Sequence, residues 1–171
     1  MPNTHPTPAE AIPLLLNCTQ AHLATRPDLP TPVHILLGTD GVGIPYGCCD
    51  GILMIESRGP ISYDRRQIIQ AQPSLINGCD PCDRQVDNKY RVTYKMCAPP
   101  FDPRSTAGAP PRVEERNRIS MLVMNETWLL FQALTCCIPC EYARVDSADH
   151  RIVNGCATMW VDITLEHEVC C

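Results

Sequence analysis

Aromatic residues are scarce in this 171-residue chain, at 5% of the total. Its core must therefore be built mainly from Leu, Ile, Val, Met and Cys, for which a hydrophobic fraction of 44% is sufficient. Positive charge is also in short supply. The net charge of −5 argues against direct nucleic-acid recognition, which needs a basic face for phosphate contacts. No run of like charge suggests a charged tail. No apolar run approaches the roughly 18 residues of a membrane helix, so no membrane partner is expected. The N-terminus lacks the basic-then-apolar layout of a secretory signal, since Ile12 to Leu16 is too short and contains Pro13.

The usual catalytic patterns are missing too. Gly38-Thr39-Asp40-Gly41-Val42-Gly43 is glycine-rich, but it has no lysine and no strand-loop-helix setting, so it reads as a turn. The histidines (His5, His22, His34, His150, His167) are dispersed, and none stands in a Ser/Cys–His–Asp pattern. His150 near Asp146 and Asp149 reads as a polar turn. The expectation is a structural protein and not an enzyme, with no catalytic residue and no bound cofactor.

Prolines and cysteines are abundant, at 17 and 12. The prolines cluster near the N-terminus, at Pro27 to Pro32 and at Pro99 to Pro111, and mark connections. Between them, Thr7-Pro8-Ala9-Glu10 is a capping box that opens a helix over Pro8 to Ala24, with Leu15, Leu16, Cys18, Thr19 and Leu23 on its apolar face. Pro13 should either kink this helix or mark a later start. Val33 to Leu37 and Gly51 to Ser57 read as strands, the second buried on both faces. In Lys89 to Met96, Tyr90, Val92, Tyr94 and Met96 alternate with polar residues, as in a strand with one dry face. Arg58 to Arg84 is irregular, and Ala98 to Arg112 is an exposed loop.

Val113 to Cys136 carries the strongest helical pattern. Ile119, Leu122, Val123, Leu130, Ala133, Leu134 and Cys137 share a face that Glu126 interrupts. Met121, Trp128, Leu129 and Phe131 make the other side apolar as well. Such a helix is either sunk deep in its own core or meets another chain. Its acidic first turn, Glu114 and Glu115, suits the positive end of the helix dipole. Glu141 to Val145 and Ala157 to Leu165 close the chain as a hairpin, with the turn in Ser147 to Gly155. The order predicts a single α+β domain over 1–171, an antiparallel sheet packed with an N-terminal helix and one long central helix. Residues 1–7 and 166–171 are expected to be flexible ends.

Three readings of the cysteines stay open. Cys79-Asp80-Pro81-Cys82 and Cys137-Ile138-Pro139-Cys140 could supply four thiolates to a structural zinc, although they are too far apart for a zinc ribbon. Cys48, Cys49, Cys79, Cys82, Cys97, Cys137, Cys140 and Cys156 could form disulfides. Cys18 and Cys156 could be buried thiols acting as small hydrophobes. The CxxC pairs do not open helices after strands, as thioredoxin-like chemistry requires.

Several short motifs, taken in order, carry a resemblance. They are Leu16-Asn17-Cys18, Tyr46-Gly47-Cys48-Cys49-Asp50-Gly51-Ile52-Leu53, Cys79, Val92-Thr93-Tyr94-Lys95-Met96-Cys97-Ala98-Pro99, the helix end Leu130 to Cys137, and Asn154-Gly155-Cys156-Ala157 before a Trp-containing last strand. Over most of residues 10 to 165 the chain resembles the head-to-tail connector, or tail terminator, proteins of long-tailed phages of actinobacteria. The resemblance implies a tail-terminator-like fold and a homohexameric ring in the virion neck, assembled in the host cytoplasm. Its partners would be the tail tube protein and the connector or stopper proteins of the head. The same motifs fit a neighbouring neck subunit. Trp128, Phe131, Phe101, Arg104, Arg65 and Arg66 are the expected assembly contacts.

Overall fold

The computed structural model describes residues 7–27, 29–39, 51–58, 62–63, 84–98, 113–140, 143–153 and 155–169. Among these residues two helices, α1 (Pro8–Ala24) and α2 (Val113–Cys137), accompany six strands. The strands are β1 (His34–Thr39), β2 (Ile52–Ser57), β3 (Ser62–Tyr63), β4 (Arg84–Cys97), β5 (Ala143–Val153) and β6 (Cys156–Val169). They form one sheet in the order β1-β2-β4-β6-β5, with the two-residue β3 pairing β4 beside β2. The architecture is α+β.

The expected capping box opens α1. The Glu10 carboxylate accepts the Thr7 N–H at 2.8 Å and the Thr7 hydroxyl at 2.9 Å. These bonds hold the Glu10 carboxyl below the usual carboxylate range. Pro13 neither breaks the helix nor delays its start. It sits on the solvent side of a continuous α1, where losing one backbone donor leaves no buried group unsatisfied. The face opposite buries Ala11, Leu15, Cys18 and Thr19.

Both helices cover the same face of the sheet. That face is built by the cross-strand pairs Leu53↔Tyr94, Ile55↔Val92, Val92↔Val161 and Tyr94↔Met159. Leu53, Ile55, Tyr90, Val92, Val161, Ile163 and Leu165 pack with Ala11, Leu15, Leu130 and Leu134. A second cluster joins Tyr94, Met96, Ala157 and Met159 to Ile119 and Val123 of α2 and to Leu29. Strand alternation and helical periodicity therefore meet in one apolar layer.

The sheet departs from expectation in three ways. It is mixed: β1 runs parallel to β2, and the other pairings are antiparallel. The connection from Thr39 to Ile52 is long enough to return the chain to its starting end, which a parallel pair requires. Just before β2, Gly51 has φ +70°, and a Cβ there would lie 3.1 Å from the Thr31 carbonyl oxygen. Only glycine suits that approach. The closing hairpin is also longer than its apolar residues suggest. β5 runs to Val153 and β6 starts at Cys156, so Asn154-Gly155 alone separates them, and Gly155 has φ 75°. Asn-Gly favours such two-residue turns. Finally, β6 continues to Val169 beside β4, so 166–169 belong to a strand and not to a flexible end. The expected excursion over Arg58 to Arg84, apart from Arg58, Ser62, Tyr63 and Arg84, and the loop from Pro99 to Arg112 lie outside the described residues.

Candidate assembly surfaces and the cysteine site

The buried side of α2 follows the predicted pattern, with Ile119, Val123, Glu126, Thr127, Leu130 and Leu134 inside. Thr127 satisfies its hydroxyl by donating to the Val123 carbonyl at 2.7 Å. Glu126, the polar interruption, is 1% exposed and forms an ion pair with Arg26, just beyond α1. Nearby, the Tyr94 hydroxyl donates to the Pro30 carbonyl. Burial, and then the Glu126 charge, push the Tyr94 hydroxyl far above its ordinary value. It therefore stays protonated as a donor, and anchors the Pro-rich connection to β4.

The outer side of α2 is apolar as well. Met121, Met124 and Trp128 are 65%, 55% and 56% exposed. Trp128 stacks on Phe131 with ring centroids 5.5 Å apart and 12° between planes. The spacing 121, 124, 128, 131 is the alternating three-and-four step of a helix–helix seam. Single exposed hydrophobes are ordinary, but a continuous stripe is not. A second exposed apolar row is made by Val33, just before β1, and by Ile35 and Leu37 within it. Pairing of Ile35 with Leu53 and of Leu37 with Ile55 puts this row on the helix-bearing face. The helices do not cover it, because α2 packs over β5 and β6, at the far end of the strand order from β1.

The opposite face of the sheet is charged. Arg91 Nε and Nη2 donate to the two carboxylate oxygens of Asp162 at 2.6 and 2.8 Å. The guanidinium also lies 5.5 Å from the Trp160 ring centroid. Hydrogen bonding to Asp162 raises the Arg91 pKa. Burial pushes the Asp162 carboxyl up, but the bonds and charge of Arg91 outweigh it and hold the group below its usual value. A register shift between Val145 and Ser147 inserts Asp146 into β5, and such bulges re-aim side chains. Asp146 accepts Arg144 Nε at 2.6 Å and the Thr164 hydroxyl at 2.5 Å. A cleft of about 330 Å³ lies among Arg58, Lys89, Arg91, Arg144, Asp146 and Asp162. Arg91–Asp162 and Arg144–Asp146 are its ion pairs, and the Ser147 hydroxyl, also in the lining, donates to Asp162 at 3.2 Å.

The disulfide reading holds for Cys97 and Cys137 and fails for Cys140 and Cys156. Cys18 and Cys137, separated by 119 positions, form a disulfide with Cα atoms 5.8 Å apart. It ties α1 to the last residue of α2. Cys18 is therefore a cross-link and not a buried thiol, although it is only 3% exposed. Cys140, grouped above with the disulfide formers, is an exposed thiol, as is Cys136, and Cys156 is a half-buried thiol. Cys97 is disulfide-bonded. The zinc reading loses a ligand, because Cys137 is committed to sulfur. Among the described residues no group of His, Cys, Asp or Glu is placed to hold a metal ion. Cys48, Cys49, Cys79 and Cys82 lie outside the described residues.

Of the expected assembly contacts, Trp128 and Phe131 lie together on the outer stripe, whereas Phe101, Arg104, Arg65 and Arg66 lie outside the described residues. Sequence reasoning missed Met124 and the β1 row. Met124 follows Met121 by three positions, and Val33, Ile35 and Leu37 alternate, so both signals were present. Among the described residues no helix is long and apolar enough to cross a membrane. No protein-family model matches the chain, and no curated protein matches its sequence.

Proposed function

We propose that the chain is a structural ring subunit of a phage neck: a tail terminator that caps the tail tube and joins it to the head connector. The observation that carries this reading is the placement of two uncovered apolar surfaces at opposite ends of the sheet order, the α2 stripe and the β1 row. A surface that pairs with a different surface on the next copy is a heterologous contact, and such contacts close into rings when the rotation allows. The short motifs shared with phage connector proteins name the assembly. The ring is a homohexamer, and its neighbours are the tail tube protein and the connector or stopper proteins. Its role requires neither cofactor nor catalysis.

The test is to add purified protein to growing tail tubes and measure tube length by electron microscopy. A terminator stops growth and leaves a ring at one end. Tubes that grow unchecked, with no bound ring, reject the terminator role. Binding to heads and not to tubes reassigns the chain to a neighbouring neck position.

A further inference from the structure

The Cys137-Ile138-Pro139-Cys140 motif has no part in the assembly reading, yet it surrounds the disulfide's accessible sulfur. We infer that Cys18, Cys137 and Cys140 form a thiol–disulfide exchange site that switches the α1–α2 cross-link without any external oxidant or reductant.

The cross-link is asymmetric. Cys18 lies inside the core, whereas Cys137 is exposed at the end of α2. An attacking thiolate must approach along the S–S axis, so it reaches Cys137 Sγ and displaces Cys18. The Cys140 thiol, three residues on, is exposed. The Ile138 N–H closes the end of α2 by donating to the Leu134 carbonyl at 3.1 Å, and the chain then leaves the helix through a bend at Ile138 and a turn at Cys140. Cys-x-x-Cys is a spacing at which thiol–disulfide chemistry operates, and closing it requires the two Cβ atoms to come within about 3.5–4.5 Å. Cys136 is a worse nucleophile by geometry, because adjacent residues on a helix do not face each other.

The exchange balances. Cys140 loses its proton and its thiolate attacks Cys137 Sγ. The Cys137–Cys140 bond forms as the Cys18–Cys137 bond breaks, and the Cys18 thiolate takes up a proton. One disulfide and one thiol stand on each side, so no net oxidation occurs. The product is tolerable in the core, because a protonated buried cysteine behaves as a small hydrophobe. The consequence is mechanical. A bond joining two helices across 119 positions becomes a local loop at the end of α2, and α1 keeps its packing and the Arg26–Glu126 pair without the covalent tie.

The full-length oxidised protein is incubated in mildly alkaline buffer without added thiol, acid-quenched and alkylated. It is then digested without reduction and mapped by mass spectrometry. The Cys137–Cys140 peptide should accumulate with time, and Cys18 should become alkylated. Cys140→Ser should lower Cys18 labelling at least about tenfold, and Cys136→Ser should leave it within about twofold. Both substitutions are at exposed positions, so retained folding is checked by circular dichroism. Cys18–Cys137 as the sole pairing of these cysteines in the wild type overturns the inference. So does equal Cys18 labelling in the wild type and Cys140→Ser. Neither result bears on ring assembly.

Discussion

Glu126 occupies the middle of the buried face of α2, and Arg26 answers its charge. Removing one partner of such a pair leaves the other's desolvation cost uncompensated, whereas replacing both with apolar groups need not. Arg26 is 26% exposed, so screening places the loss at the lower end of the usual range. Glu126→Ala should cost about 3 kcal/mol in urea unfolding, and Glu126→Leu with Arg26→Met should recover most of it. Cys18 acts through the unfolded chain. Its bond closes a loop of more than a hundred residues, so Cys18→Ala should lose up to about 4–5 kcal/mol on the chain-entropy account. His22 gives the fold a pH dependence. Burial, and then the Arg26 charge, hold its imidazole below the ordinary value of 6.5. Its position in the last turn of α1 favours the charged form, but that effect loses. Above about pH 6.5 the group is neutral in both states; below it, the unfolded chain takes a proton that the folded chain resists. Stability should therefore fall as pH drops from about 6.5, and His22→Gln should flatten that part of the curve.

At the scale of elements, α2 carries two apolar stripes with different duties. The inner one, through Ile119, Val123, Leu130 and Leu134, belongs to the core. The outer one, through Met121, Met124 and Trp128, is exposed. Met124→Glu or Trp128→Glu should change unfolding stability by no more than about 0.5 kcal/mol, as for ordinary surface positions, yet abolish self-association in sedimentation velocity. A substitution that unfolds the chain instead would show that the outer stripe serves the core. α1 was legible from its capping box and starting proline, and α2 from apolar periodicity sustained over 25 residues. β4 and β6 were legible at their centres for the same reason. The second half of β5 was not, since Ser147 to Arg151 is polar and lies on an edge strand, where no core face imposes alternation. The parallel pairing of β1 also leaves no local signature, because its partner is chosen by the path of the connection. Nor does the Cys18–Cys137 bond, whose ends meet only when α1 and α2 pack.

For the whole molecule, the sheet has one covered face and one charged face; α2 is displaced toward β5 and β6, and α1 packs between α2 and β2. That displacement completes the core beneath α2 and leaves Ile35 and Leu37 of β1 exposed. A monomer with apolar surfaces on α2 and β1 invites uncontrolled association. A closed ring removes both surfaces from water at once. The Cys18–Cys137 disulfide ties α1 to the end of α2, the helix that carries the outer stripe. Native mass spectrometry of the purified full-length chain tests this most directly. The account predicts a discrete ring of six 19.0 kDa chains, collapsing to monomer when Trp128 is replaced by glutamate. A monodisperse wild-type monomer at every concentration would contradict it.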